Sequence, residues 1–133
     1  DNWCWCCRGE EDGVVELLLI ELNVQETKIK AIIIGKPNDY SYLEIGNKTA
    51  ILFKETEVII GKGIHHQISM QNKFIGKISA IESKELLSKV SIATSVGTIN
   101  SIITTNAVKQ LKLELGTTVT AMVKTNEIMV NYK

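Results

Sequence analysis

Cys4, Cys6 and Cys7, together with His65 and His66, are the side chains of this 133-residue sequence most able to hold a metal ion. Zinc sites require paired ligands at defined spacings, and a lone Cys-x-Cys-Cys run does not supply them. Three cysteines crowded into positions 4 to 7 also cannot build the disulfide framework of a small secreted domain. The adjacent histidines stand in a joining segment, where a solvated pair is the commoner arrangement. Gly61-Lys62-Gly63 is not a phosphate-binding loop, because the earlier glycine and the following Ser or Thr are absent. No Ser-His-Asp order and no paired acid/base carboxylates are visible, so the chain reads as non-catalytic. In residues 72–133 a few polar positions interrupt apolar stripes. Lys124 is the most pointed of them, a single lysine heading an otherwise apolar strand.

Composition limits the partners. Lysine plus arginine equals aspartate plus glutamate at 15 each, and this balance argues against a general polyanion binder. Aromatic residues are 5% of the chain, too few for a barrel that stacks bases along a strand. No direct nucleic-acid binding is therefore expected. The longest apolar run, Val14 to Leu22, is interrupted by Glu16 and Glu21 and is too short to span a bilayer as a helix. No membrane insertion is expected, and no signal-peptide pattern opens the sequence. Position 1 is Asp, so the chain reads as a fragment or a processed product.

The elements that must position these residues follow from period-two alternation. Strands are expected at Gly76–Ile81, Lys89–Ala93, Thr98–Thr104, Thr118–Lys124 and Glu127–Val130. A short helix over Asn106–Leu111 interrupts them, with Thr104 or Thr105 as its cap and Gly116 where the chain turns away. Ile99, Ile102, Val119 and Met122 are expected to fill the interior. The fold class is all-β with one short helix, an OB-like five-stranded barrel preceded by an abbreviated β half-repeat. In the first half, strand patterns cover Lys28–Ile34, Tyr40–Ile45, Thr49–Lys54 and Glu57–Ile60, with turns at Gly35–Asp39 and Gly46-Asn47. Val14 to Leu22 reads as a strand or a short helix. Asn23, Lys28, Ile29, Ala31 and Ile32 recur at Asn72, Lys77, Ile78, Ala80 and Ile81, while Lys54 and Glu57 recur at Lys124 and Glu127. These two echoes have different offsets, as if the first copy lacks its central strand and helix. The expected organisation is an unassigned tail over 1–13, an abbreviated half-repeat over 14–64 and a complete domain over 65–133.

Three segments carry a family resemblance. Ser69-Met70-Gln71-Asn72-Lys73-Phe74-Ile75-Gly76-Lys77-Ile78 is similar to the S-A-R-N-x-x-x-G-x-I opening of molbindin (Mop, or TOBE) domains. Asn100-Ser101-Ile102-Ile103-Thr104, with Ala107-Val108 and Leu113 to Gly116, resembles their central signature. Thr120 to Val130 resembles their closing T-A-x-I-K-A-T-E-V-M-V. Gln71 departs from the pattern, standing where the family has arginine and offering an amide in place of a charge.

The resemblance implies a ligand, molybdate or tungstate, and no other cofactor. It places candidate donors at Ser69, Gln71, Asn72, Asn100, Ser101, Thr104, Lys124 and Thr125. Ser69 and Asn72 also suit capping or turning roles, and a strand-edge lysine is commonly solvated. Both anions are fully deprotonated tetrahedra whose oxygens only accept hydrogen bonds. A shell made of donors alone rejects monohydrogen phosphate, whose hydroxyl finds no acceptor. Lys54 is expected in a degenerate counterpart site. The resemblance further implies a cytoplasmic regulatory region of an importer's ATP-binding subunit, reaching membrane subunits through a parent ATPase. The effector half of a molybdate-responsive regulator and a free-standing store are the alternatives. Family ligand shells form across domain interfaces, which implies a homodimer or higher homo-oligomer.

Overall fold

The computed structural model describes residues 2–11, 16–24, 27–34 and 48–132. The chain separates into two compact units. Unit 1 comprises 1–53 with 124–133, and unit 2 comprises 54–123.

Unit 2 is a curled antiparallel sheet of OB type. Its strands are β5 (Ile59–Lys62), β6 (Asn72–Ser83), β7 (Leu87–Thr94), β8 (Gly97–Thr104) and β9 (Thr118–Val123), in the order β5-β9-β6-β7-β8. The helix α1 (Thr105–Gln110) follows β8, and Thr104 is its cap, accepting from the Ala107 N–H at 3.1 Å. β6 is long enough to serve two neighbours. Asn72 to Lys77 pair with β9, and Gly76 to Ser83 pair with β7. Where the two ladders overlap, a Cβ on Gly76 would collide with the Ala93 carbonyl, so the strand passes from one partner to the other only through glycine. An irregularity between Ile78 and Ala80 leaves Ser79 out of register and bends the strand, as a curled sheet requires. Phe74, Ile78, Val90, Ile92, Ile99 and Val119 form the buried interior.

The expected filling by Ile99, Ile102, Val119 and Met122 is half correct. Ile99 and Val119 face inward, but residues three apart on a strand face opposite sides. Ile102 is consequently half-buried on the outer side. Met122 is buried, yet its ladder partners Lys73 and Ile59 place it on the outer face as well.

Unit 1 has the same topology. Its strands are β1 (Asn2–Glu11), β2 (Glu16–Val24), β3 (Thr27–Ile34), β4 (Lys48–Leu52) and β10 (Met129–Tyr132), in the order β10-β4-β1-β2-β3. The described part of the apolar run, Glu16 to Leu22, is therefore a strand, and the segment 1–13, which matches no pattern, contains β1. The expected strand at Tyr40–Ile45 and its flanking turns lie outside the described residues. The central strand is not missing from the first copy: β2 and β3 hold the places that β7 and β8 hold in unit 2, and the place of the short helix lies outside the described residues. Lys28 lies on β3 and Lys77 on β6, so their echo does not join equivalent strands. β3 is the counterpart of β8, not of β6.

The last strand of each unit comes from the other half of the sequence. Ile59 faces Met122 in unit 2 as Met129 faces Leu52 in unit 1, each residue 70 positions from its counterpart. A 3-10 turn precedes each of these strands, Glu55–Glu57 before β5 and Thr125–Glu127 before β10. The five-strand barrel expected within 65–133 is thus completed by β5, while β10 belongs to unit 1.

Candidate functional site

Two buried polar side chains lie toward one rim of unit 2. Asn72 opens β6 opposite Val123, and Val58 immediately precedes Ile59, the partner of Met122. The ladder therefore sets Asn72, Val123 and Val58 side by side. Antiparallel partners share a face, so Asn72 turns inward with Val123, and it is fully buried. Ser101 reaches the same rim from β8. Its hydroxyl donates to the Val58 carbonyl at 2.7 Å, which closes β8 onto the segment before β5. That proton is committed, so Ser101 serves as a latch on the barrel and not as an open donor. Asn72 likewise has an interaction of its own.

The other expected residues are placed differently. Asn100 faces the outer side, where its Oδ1 accepts from Ser91 Oγ at 2.8 Å, because neighbouring residues on a strand point in opposite directions. Thr104 spends its hydroxyl on capping α1. Ser69 and Gln71 are exposed on the strap 63–71 that leads into Asn72. Lys124 and Thr125 lie in unit 1, where Lys124 is the exposed cap of the 3-10 turn and Thr125 its half-buried first residue. The matching turn of unit 2 is headed by Lys54, exposed and four residues ahead of Val58.

The structure thus brings Asn72 and Ser101 to one rim, while Ser69 and Gln71 lie exposed on the strap that leads into Asn72 and Lys54 heads the turn four residues before Val58. Asn100 and Thr104 are not turned to that rim. Glu55, in the same turn, has its carboxylate 3.6 Å from Lys89 Nζ. Lys54 is the residue that reading along the chain assigns elsewhere. Its signal is the repeated lysine-to-glutamate spacing, but only the strand exchange shows which barrel each lysine joins.

Unit 1 lacks these polar features among its described residues. Ala31 pairs with Ile20 as Ser101 pairs with Val90, so the latch hydroxyl has no equivalent. β1 meets β4 and β2 at Asn2, the place of Gly76, and no described residue is the counterpart of Asn72. Among the described residues no group of three or more His, Cys, Asp or Glu is arranged to hold a metal ion.

A family model matches the chain from the strap to β10, a span that includes Asn72, Gly76 and Ile78 of β6. Residues 68–130 are a TOBE domain. Its final part, 124–130, lies in unit 1, so the TOBE sequence is shared between the two units. Over its whole length the chain is similar in fold to the cytoplasmic molybdate-binding protein ModG in a molybdate-bound form. The TM-score is 0.79 at 20% identity, covering 100% of this chain and 96% of that one. MopII from Clostridium pasteurianum, in an apo form, is similar at 29% identity over 44% of this chain and 88% of its own, with a TM-score of 0.42. Among curated proteins there is no match.

Proposed function

We propose that this chain binds molybdate or tungstate in the cytoplasm and does no chemistry on it. The observation that carries the reading is the TOBE match together with the placing of its opening motif at the rim of unit 2. Neutral amides and hydroxyls enter that rim, and Lys54 supplies a cation beside it. A fully deprotonated tetrahedral dianion satisfies such donors, whereas a protonated anion leaves its hydroxyl without an acceptor. The anion contacts are assigned to Ser69, Gln71 and Asn72, with Lys54, of the same unit, as the lysine and Lys124 and Thr125 as the alternative. The whole-chain likeness to a molybdate-binding protein supports the same ligand class.

Two contexts suit a chain of two such units. One is the regulatory region of a molybdate or tungstate importer; the other is a free-standing binding protein, which the full-length correspondence with ModG favours equally. Among the described residues no helix is long and apolar enough to cross a membrane. In either context the protein assembles as a homodimer with anion sites near the interface. Sedimentation across a dilution series, with and without molybdate, should show a dimer that the anion strengthens.

Titration calorimetry with molybdate, tungstate, sulfate and phosphate tests the ligand. Molybdate or tungstate should bind at least ~10-fold more tightly than phosphate, the size of one buried unpaired polar group. Equal affinity for all four anions, or none for any, overturns the assignment.

A further inference from the structure

The strap 63–71, which presents Ser69 and Gln71, is held at its middle by a histidine. The His66 ring lies against the backbone at Gly61. A Cβ added there would stand 2.7 Å from His66 Cε1, 2.8 Å from its Nε2 and 2.7 Å from the Met122 Cε methyl. Glycine therefore leaves a notch that the imidazole and the methionine fill. The His66 carbonyl also accepts from Lys73 Nζ at 2.9 Å. Its Nε2 is shielded from solvent with no hydrogen-bond partner, so packing seats the ring. At the near end of the strap, the Gly63 N–H donates to the Thr118 carbonyl at 3.0 Å. The Gly63 carbonyl accepts from Thr120 Oγ1 at 2.8 Å. Together these contacts lay the strap over the outer face of β9, which explains why Thr120 and Met122 are buried although they face away from the barrel interior. Met122 adjoins Val123, the partner of Asn72.

We propose that His66 is a positioning residue for the anion site: its ring, keyed into the notch between Gly61 and Met122, fixes where the strap holds Ser69 and Gln71. The proposal rests on the oxyanion reading above. Neither serine nor glutamine is buried, so without the key their donors sample many directions, and a preorganised donor loses less on binding than a mobile one.

A mutant cycle on the whole chain tests this with two readouts, amide hydrogen exchange over 67–71 and molybdate titration. His66→Ala removes the key, and Gly61→Ala fills the notch from the backbone side. Each should speed exchange in the strap and weaken molybdate binding by ~10-fold. The double variant should be no worse than His66→Ala, because loss of the imidazole leaves room for the new methyl and the flexible end of Met122 moves aside. His66→Phe, which keeps a flat ring and drops the unpartnered nitrogen, should hold affinity within about threefold and guards against loss of fold. Additive losses overturn the proposal, and so does faster strap exchange with unchanged affinity. If the unsubstituted chain binds no molybdate, the functional reading fails, and the anion-positioning role falls with it. The exchange cycle would then still decide whether His66 fixes the strap.

Discussion

Ser101 and Lys54 show how far a residue's role depends on its partner. Ser101 lies inside the barrel with its hydroxyl bonded to the Val58 carbonyl, so Ser101→Ala leaves a buried carbonyl unpaired. A loss of about 1–3 kcal/mol in urea unfolding is expected, the cost of a buried polar group left alone. The equivalent position in unit 1 is Ala31, which has no hydroxyl to donate. The lysines make a sharper test. Reading along the chain puts the anion's cation at Lys124, whereas membership of the barrel that holds Asn72 and Ser101 puts it at Lys54. Lys54→Ala should weaken molybdate binding by roughly 1.5–3 kcal/mol, the range of charge-assisted hydrogen bonds, with a smaller loss for Lys124→Ala. The opposite ranking by calorimetry would return the role to Lys124.

At the scale of the elements, β6 does the most to place the site. It carries Asn72 at one end, exchanges partners at Gly76 and bends at Ser79. A methyl at position 76 meets main chain, which cannot move aside as a side chain can. Gly76→Ala should accordingly destabilise by about 2–4 kcal/mol, among the larger effects of a single substitution. Thermal unfolding followed by circular dichroism measures it. Thr104 acts at the start of α1 only as a cap. Thr104→Ala should lower stability by about 1 kcal/mol and leave anion affinity unchanged. A matching loss of affinity would restore Thr104 to the site.

For the whole molecule, the exchange of β5 and β10 binds the two halves of the sequence into one folding problem. Neither barrel has its last strand until both halves are synthesised, and an open edge is left where that strand is absent. Unfolding in urea should consequently be a single transition, with far-ultraviolet dichroism and the fluorescence of Trp3 and Trp5 giving the same midpoint. Two separated midpoints would show that each unit is stable without the strand supplied by the other half. The loop-closure cost of long-range pairing also makes slow refolding the expected kinetic signature.

Alternating apolar residues were enough to reveal the strands of 76–130, because burial on one face imposes period two wherever a sheet covers a core. The cap at Thr104 and the turn at Gly116 were equally legible, since their chemistry is local. So was the family, because Asn72, Gly76 and Ile78 sit on one strand whose geometry depends on that spacing. The alternation of a strand does not say which strand it pairs with, and so the copy of β7 and β8 in the first half was hidden behind a false echo. Likewise, Ser101 is one more hydroxyl in a strand until Val58 arrives from 43 positions away to accept its proton. The assignment of Lys54 and Lys124 to their barrels was decided by the exchange of β5 and β10. Both lysines head the same local turn, and no local interaction distinguishes them; only the long-range hydrogen bonds of the strands that follow do so.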